Sequence, residues 1–143
     1  MRSNSSYINV YDKTNTKSKI VTQLLYGDSF KKIKKIKSWI RIKNYRDNYK
    51  GYIKNKTFLP NQKNTHKICK KFASLYSKPN NKYKIKHKLS FNSKIKMVNE
   101  KNNFYEFDRL WIKKRDVKKI NYSNKNYFNG IKEFVNIKYK WGG

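Results

Sequence analysis

An all-β fold, laid out as two tandem small β-barrels followed by one α-helix, is what this sequence predicts. Three observations predict it. The chain repeats itself under a shift of 65 positions, each copy alternates apolar with basic residues over runs of strand length, and turn residues separate those runs at intervals too short for helices.

The repeat is read from its apolar positions. Under the shift of 65, Val10-Tyr11 falls on Leu75-Tyr76, Ile20 on Ile85, Leu24 on Leu89, Tyr26 on Phe91, Phe30 on Ile95, Ile33 on Val98, Trp39 on Phe104 and Ile42 on Phe107. A deletion around residues 46–51, "RDNYKG", reduces the shift to 59, so that Tyr52-Ile53 meets Trp111-Ile112 and Phe58 meets Val117. Each copy is about 50 residues, in the range of the smallest domains that fold alone. The expected boundaries are 1–60 and 61–121, with "LPNQKNTH" (59–66) as the connection and 122–143 as a third region.

Within each copy the segments read as short strands. "SWIRIKN" alternates Trp39 or Ile40 with basic residues, "FKKIKKIK" carries Phe30, Ile33 and Ile36 between lysines, and "YEFDRLWI" is aromatic and β-branched. The spacing of three in the second of these would also fit one face of a helix. Turn signals at 26–29, 44–48, 78–81 and 99–103 decide for strands, and about five strands in so short a unit bury their faces by curling into a barrel. From residue 121, "NYSNKNYFNGIKEFVNIKYKWGG" changes character: Ser123 or Asn124 can cap a helix whose apolar face is Phe128, Ile131 and Val135, with Tyr127 and Phe134 beside it.

Apolar and aromatic fractions of 36% and 16% allow a folded core. A net charge of +29 over 143 residues, about 0.2 per residue, opposes compaction and predicts marginal stability at low salt. Lys, Asn and Ile dominate together while alanine occurs once, at Ala73, the bias that A+T-rich codons impose, so the charge alone does not establish a nucleic-acid partner. The single cysteine, Cys69, excludes an internal disulfide. No apolar run reaches membrane-spanning length, and "MRSNSSY" lacks the apolar core of a secretion signal. The expectation is a monomer in the cytoplasm, or in the periplasm or cell wall if a signal lies outside this chain.

The first copy, "VYDKTNTKSKIVTQLLYGDSFKKIKKIKSWIRIKNYRDNYKGYIKNKTF", resembles a bacterial SH3 domain, with its "TQLLYGD", its Trp-x-x-Ile strand and its Gly-Tyr-Ile strand. The second resembles the same module with Asn92 in place of Gly27 and no Gly-Tyr. The closing "IKEFVNIKYKWGG" is similar to the first helix of an NlpC-type cysteine peptidase domain, an α+β domain in which an aromatic-Trp-Gly-Gly stretch precedes the Asp-Cys-Ser-Gly segment that carries the nucleophile. The chain stops before that segment, so the resemblance implies a peptidase truncated ahead of its catalytic cysteine and histidines.

The resemblance implies a peptidoglycan hydrolase that cuts stem peptides between D-γ-glutamate and the diamino acid, without cofactor or metal. Its first barrel would lie over the cleft and select peptides with a free amine. Tyr139 matches the tyrosine that supports the oxyanion, and Trp141, Gly142 and Gly143 match the packing turn. Asp28 falls where the family carries an acid after Tyr-Gly, so the candidate substrate contacts are Asp28, Tyr26 and Trp141; an acid in such a turn also caps backbone amides. The implied partners are stem peptides or muropeptides, together with anionic polymers drawn by the lysine runs at 31–37 and 113–119, otherwise solvated strand faces.

Other reactive residues offer little. Cys69 reads as a small buried side chain, since His66 would point to the opposite face of a strand and His87 lies elsewhere. A metal site from His66 and Cys69 would lack further ligands. Glu106 and Asp108 share an expected strand face, where charge pairing is the simpler role than a glycosidase dyad. Trp39, Tyr52, Trp111 and Phe104 occupy equivalent barrel positions and read as core, with exposed tyrosines as the alternative sugar or peptide contacts. The competing function is a basic SH3-like module that binds nucleic acid by stacking bases above phosphate contacts. A third class, an adaptor for proline-rich peptides, needs acids that this chain mostly lacks.

Overall fold

The computed structural model describes residues 1–123. The helix expected toward the C-terminus, with Tyr139, Trp141, Gly142 and Gly143, lies outside the described residues. What is described is all-β, as expected, and falls into two compact units, Met1–Gln62 and a second that begins at Lys63.

In the first unit, β1 (Tyr7–Tyr11), β2 (Ile20–Leu25), β3 (Phe30–Ile36), β4 (Trp39–Asn44) and β5 (Lys50–Lys54) form one antiparallel sheet in the order β2-β1-β5-β4-β3. Side chains alternate between its faces. Val10, Leu24, Phe30, Ile40, Ile42 and Ile53 turn inward and pack with Phe58 as the core, while Tyr11, Trp39, Arg41, Lys43 and Tyr52 turn outward. The N-terminal segment closes the unit: Arg2 bridges to both Ser29 and Leu59, and the Gly27 amide donates to Ser3 O at 3.0 Å. Gly27 sits at φ 79, a left-handed conformation that glycine adopts without steric cost.

The second unit begins with β6 (His66–Ile68), β7 (Phe72–Tyr76) and β8 (Lys84–Ser90). It continues through β9 (Lys94–Ile95), β10 (Asn99–Lys101), β11 (Phe104–Phe107), β12 (Leu110–Lys113) and β13 (Val117–Lys119). A five-stranded sheet runs β10-β11-β12-β7-β8 and a three-stranded one β13-β6-β9. Ile68, Ala73, Leu75, Leu89, Ile95, Phe107 and Ile112 are among its buried residues.

The register repeats as the apolar pattern predicts. Tyr11 pairs with Tyr52 as Tyr76 pairs with Trp111, and Ile40 with Ile53 as Tyr105 with Ile112. Even the two bridges of Arg2 reappear, as the pairing of Lys67 with Lys94 and with Lys118. Asn92, which replaces Gly27, takes the same left-handed backbone at φ 64, and asparagine is among the few residues that tolerate it. The deletion in the second copy shortens one hairpin to the two-residue turn Asp108-Arg109, with φ 45 and 64, the geometry that matches the twist of the flanking strands.

Three expectations need correction. Ile33, read as an apolar strand position, is 45% exposed, because the register between β3 and β4 shifts between Lys32 and Lys34 and leaves Ile33 as the extra residue of a bulge. Val98, its counterpart, is likewise 61% exposed. The turn expected over 99–103 narrows to Asn102-Asn103, because β10 pairs with β11 as far as Lys101.

Candidate functional site

The turn at 26–29 and the loop at 45–49 are joined by one polar network. The loop is present only in the first copy. It leaves β4 at Asn44 and returns to β5, held at its mouth by the Asn44 amide donating to Tyr49 O at 2.9 Å. Asp47 folds back into it: its Oδ1 accepts from the Tyr49 amide at 3.0 Å, and its Oδ2 accepts from the Thr22 hydroxyl at 2.6 Å. Arg46 reaches across to β2 and the turn, donating to Gln23 O at 3.0 Å and lying 3.4 Å from Asp28 Oδ2. The same carboxylate oxygen accepts from the Leu25 amide at 3.0 Å.

This geometry places two of the three candidate contacts, Asp28 and Tyr26; Trp141 lies outside the described residues. Asp28 is 1% exposed, and its carboxylate is engaged with backbone and guanidinium; of the two roles that the sequence left open, capping is the one visible here. Tyr26 is buried beside it. Tyr45 and Tyr49 point outward from the braced loop, 55% and 56% exposed, and are its ligand-accessible aromatics. Sequence reading passed over them; the signal was their position in a segment that only one copy carries, since inserted loops are where binding residues concentrate.

Elsewhere the chemistry is quiet. Glu106 and Asp108 do not share a strand face, because Asp108 opens the two-residue turn and β11 ends at Phe107. Cys69 is half-buried, donates toward Arg115 O at 3.8 Å, and burial pushes its thiol up, so it stays protonated at neutral pH. Trp39 and Phe104 are buried as expected, whereas Tyr52 and Trp111 are half-buried. The Lys54 ammonium lies 4.2 Å from the centre of the Trp39 ring and Arg41 lies 6.0 Å from that of Tyr52. A cleft of about 440 Å³ in the second unit is lined by Asn102, Asn103, Phe104 and Lys113 among others; Lys114 on its wall is already paired with Glu100 at 3.1 Å. Among the described residues no cluster of His, Cys, Asp and Glu could hold a metal ion, and no helix is long and apolar enough to cross a membrane.

His66 gives a pH dependence. Its ring lies 5.0 Å from that of Tyr105, and burial, with the Lys119 ammonium second, pushes its pKa below the ordinary imidazole value. The unfolded chain therefore binds this proton more readily, so stability is level above about pH 6.5 and falls as pH drops below it toward the folded value. Urea midpoints at pH 7 and pH 5 are expected to differ in that direction, with the difference reduced in His66→Gln. Asp116, pushed up mainly by burial, acts with the opposite sign in the carboxylate range.

Comparison with known proteins places these features. Residues 6–58 match the bacterial SH3 domain family. No curated protein matches the chain. Among solved structures, an NlpC/P60 family protein from Bacillus cereus ATCC 10987 aligns with 98% of this chain at a TM-score of 0.77 and 18% identity. This chain spans 65% of that one's length, and at such identity the likeness is one of fold.

Proposed function

We propose that this chain is the wall-targeting and substrate-gating region of a cysteine-type peptidoglycan hydrolase acting on stem peptides at the γ-D-glutamyl-diamino acid bond. The observation that carries the reading is the fold likeness to an NlpC/P60 family protein over 98% of the chain, joined to the bacterial SH3 match in the first copy. In this reading the braced loop of the first barrel selects the peptide. Tyr45 and Tyr49 offer aromatic surface to its backbone, and Arg46 holds them in place from beneath. By the family resemblance, Tyr139 takes the role of oxyanion support and Trp141 that of a substrate contact.

Titration of the chain with a stem peptide bearing a free amine, and with its N-acetylated counterpart, tests this. The free-amine peptide is expected to bind several-fold tighter, about 1 kcal/mol from its ammonium resting against the faces of Tyr45 and Tyr49, and to persist at moderate salt. Tyr45→Ala and Tyr49→Ala should each weaken it without lowering the melting temperature. Equal affinity for both peptides, or binding that vanishes with salt alone, would overturn the proposal.

A further inference from the structure

The outward face of the first sheet carries an arrangement that its own stability disfavours. Lys31 on β3 stands directly opposite Lys43 on β4, and Lys43 directly opposite Lys50 on β5. In the next outward row Lys34 stands opposite Arg41. Side chains so placed are about 5 Å apart at Cβ, and like charges there repel. None of these five cations has an ion-pair partner among the described residues. Of the three acids among residues 1–62, Asp28 and Asp47 are held by Arg46 and backbone amides, and Asp12 follows the end of β1.

Composition does not account for the ladder, because the second copy serves as an internal control. The row Lys34-Arg41-Tyr52 corresponds in register to Asn99-Glu106-Trp111. The same barrel, in the same lysine-rich chain, carries Glu106 where the first copy has Arg41 and Asn99 where it has Lys34. The cations of the first copy are therefore not demanded by the fold.

We propose that this face docks a linear polyol-phosphate chain, its phosphates taken by the row Lys31-Lys43-Lys50 and by Lys34 and Arg41. The two aromatics of the sheet face itself argue for an anion without stacking bases. Trp39 is buried beneath Lys54, and Arg41 is held against Tyr52, so neither ring offers the open face that a nucleobase needs. The proposal does not rest on the stem-peptide reading, which concerns the loop at 45–49.

The test titrates the full chain with poly(glycerol phosphate) and with a single-stranded oligonucleotide of equal phosphate number across a salt series. The variant Arg41→Glu/Lys43→Asp installs at 41 the residue type that the second copy carries there and reverses the charge of one rung at 43, and Lys31→Gln/Lys50→Gln removes two rungs without adding acid. Both should bind poly(glycerol phosphate) at least about tenfold more weakly and lower the salt slope by about two, one unit for each phosphate left without its cation. Lys84→Glu/Lys86→Glu on β8, which makes the same net charge change as the first variant, should lose less than about threefold. Equal losses in this control, wild-type affinity in both ladder variants, or an oligonucleotide bound about tenfold tighter than the polyol chain would each overturn the proposal.

Discussion

Gly51→Ala is expected to cost the first barrel about 3 kcal/mol, near the upper end of what overpacking one site does. Gly51 faces inward on β5, opposite Ile42. A Cβ built on it would lie 2.6 Å from Tyr11 O and 2.7 Å from Val10 Cγ1, with Val21 Cγ2 at 3.0 Å. The nearest of these is backbone, which cannot step aside by a change of rotamer. The requirement is therefore one of space. Tyr11 and Tyr52 form the register pair that joins β1 to β5, so a displaced β1 would open the sheet between its second and third strands. Urea unfolding should show a lowered midpoint. Hydrogen exchange should accelerate at β1 and β5 amides while those of β11 and β12, in the other unit, serve as the internal reference. Unchanged exchange at β1 would mean that the strand relaxes around the methyl group.

Both copies were legible in the sequence because burial is a property of alternation and spacing, and both survive divergence. Val10 and Leu75, Phe30 and Ile95, and Ile42 and Phe107 are buried at equivalent places although none of the pairs is identical. The loop that distinguishes the copies was visible as a break in the shift, and the Gly27-to-Asn92 exchange was visible as well; the structure explains the latter by a shared left-handed backbone. What stayed hidden depends on register or on distant pairing. β6 and β13 are three residues each, joined across about 50 positions of sequence, too short and too polar to announce themselves. Ile33 looked like core because a bulge reverses which face a residue takes, and nothing in the lysine-flanked pattern marks where the extra residue falls. The lysine runs were plain, but that Lys31, Lys43 and Lys50 stand in one row is a fact about three paired strands. The Asp28-Arg46 contact is of the same kind: the turn joins β2 to β3 and the loop joins β4 to β5, and only the folded sheet brings them together.

Asp28→Ala is expected to cost about 2–3 kcal/mol and to loosen the loop at 45–49. The larger part is the Leu25 amide, a half-buried donor that loses a charged acceptor. The smaller part is the pair with Arg46, whose guanidinium is one-third exposed and therefore screened, so it adds under about 1 kcal/mol. Asp28→Asn keeps an acceptor for Leu25 and discards the charge, and should lose about 1 kcal/mol while the amides of Arg46 and Tyr49 exchange faster. These variants also separate the two roles that the sequence left open for this acid. A brace that positions Tyr45 and Tyr49 predicts that peptide affinity and loop protection fall together, and that both recover partly in Asn relative to Ala. A direct partner for the peptide ammonium predicts the opposite pattern: Asp28→Asn would keep the melting temperature and the loop protection of the wild type and lose binding as completely as Asp28→Ala. Because Arg46 stands between the carboxylate and the loop, the first pattern is the expected one, and the second would require the guanidinium to swing aside when peptide arrives.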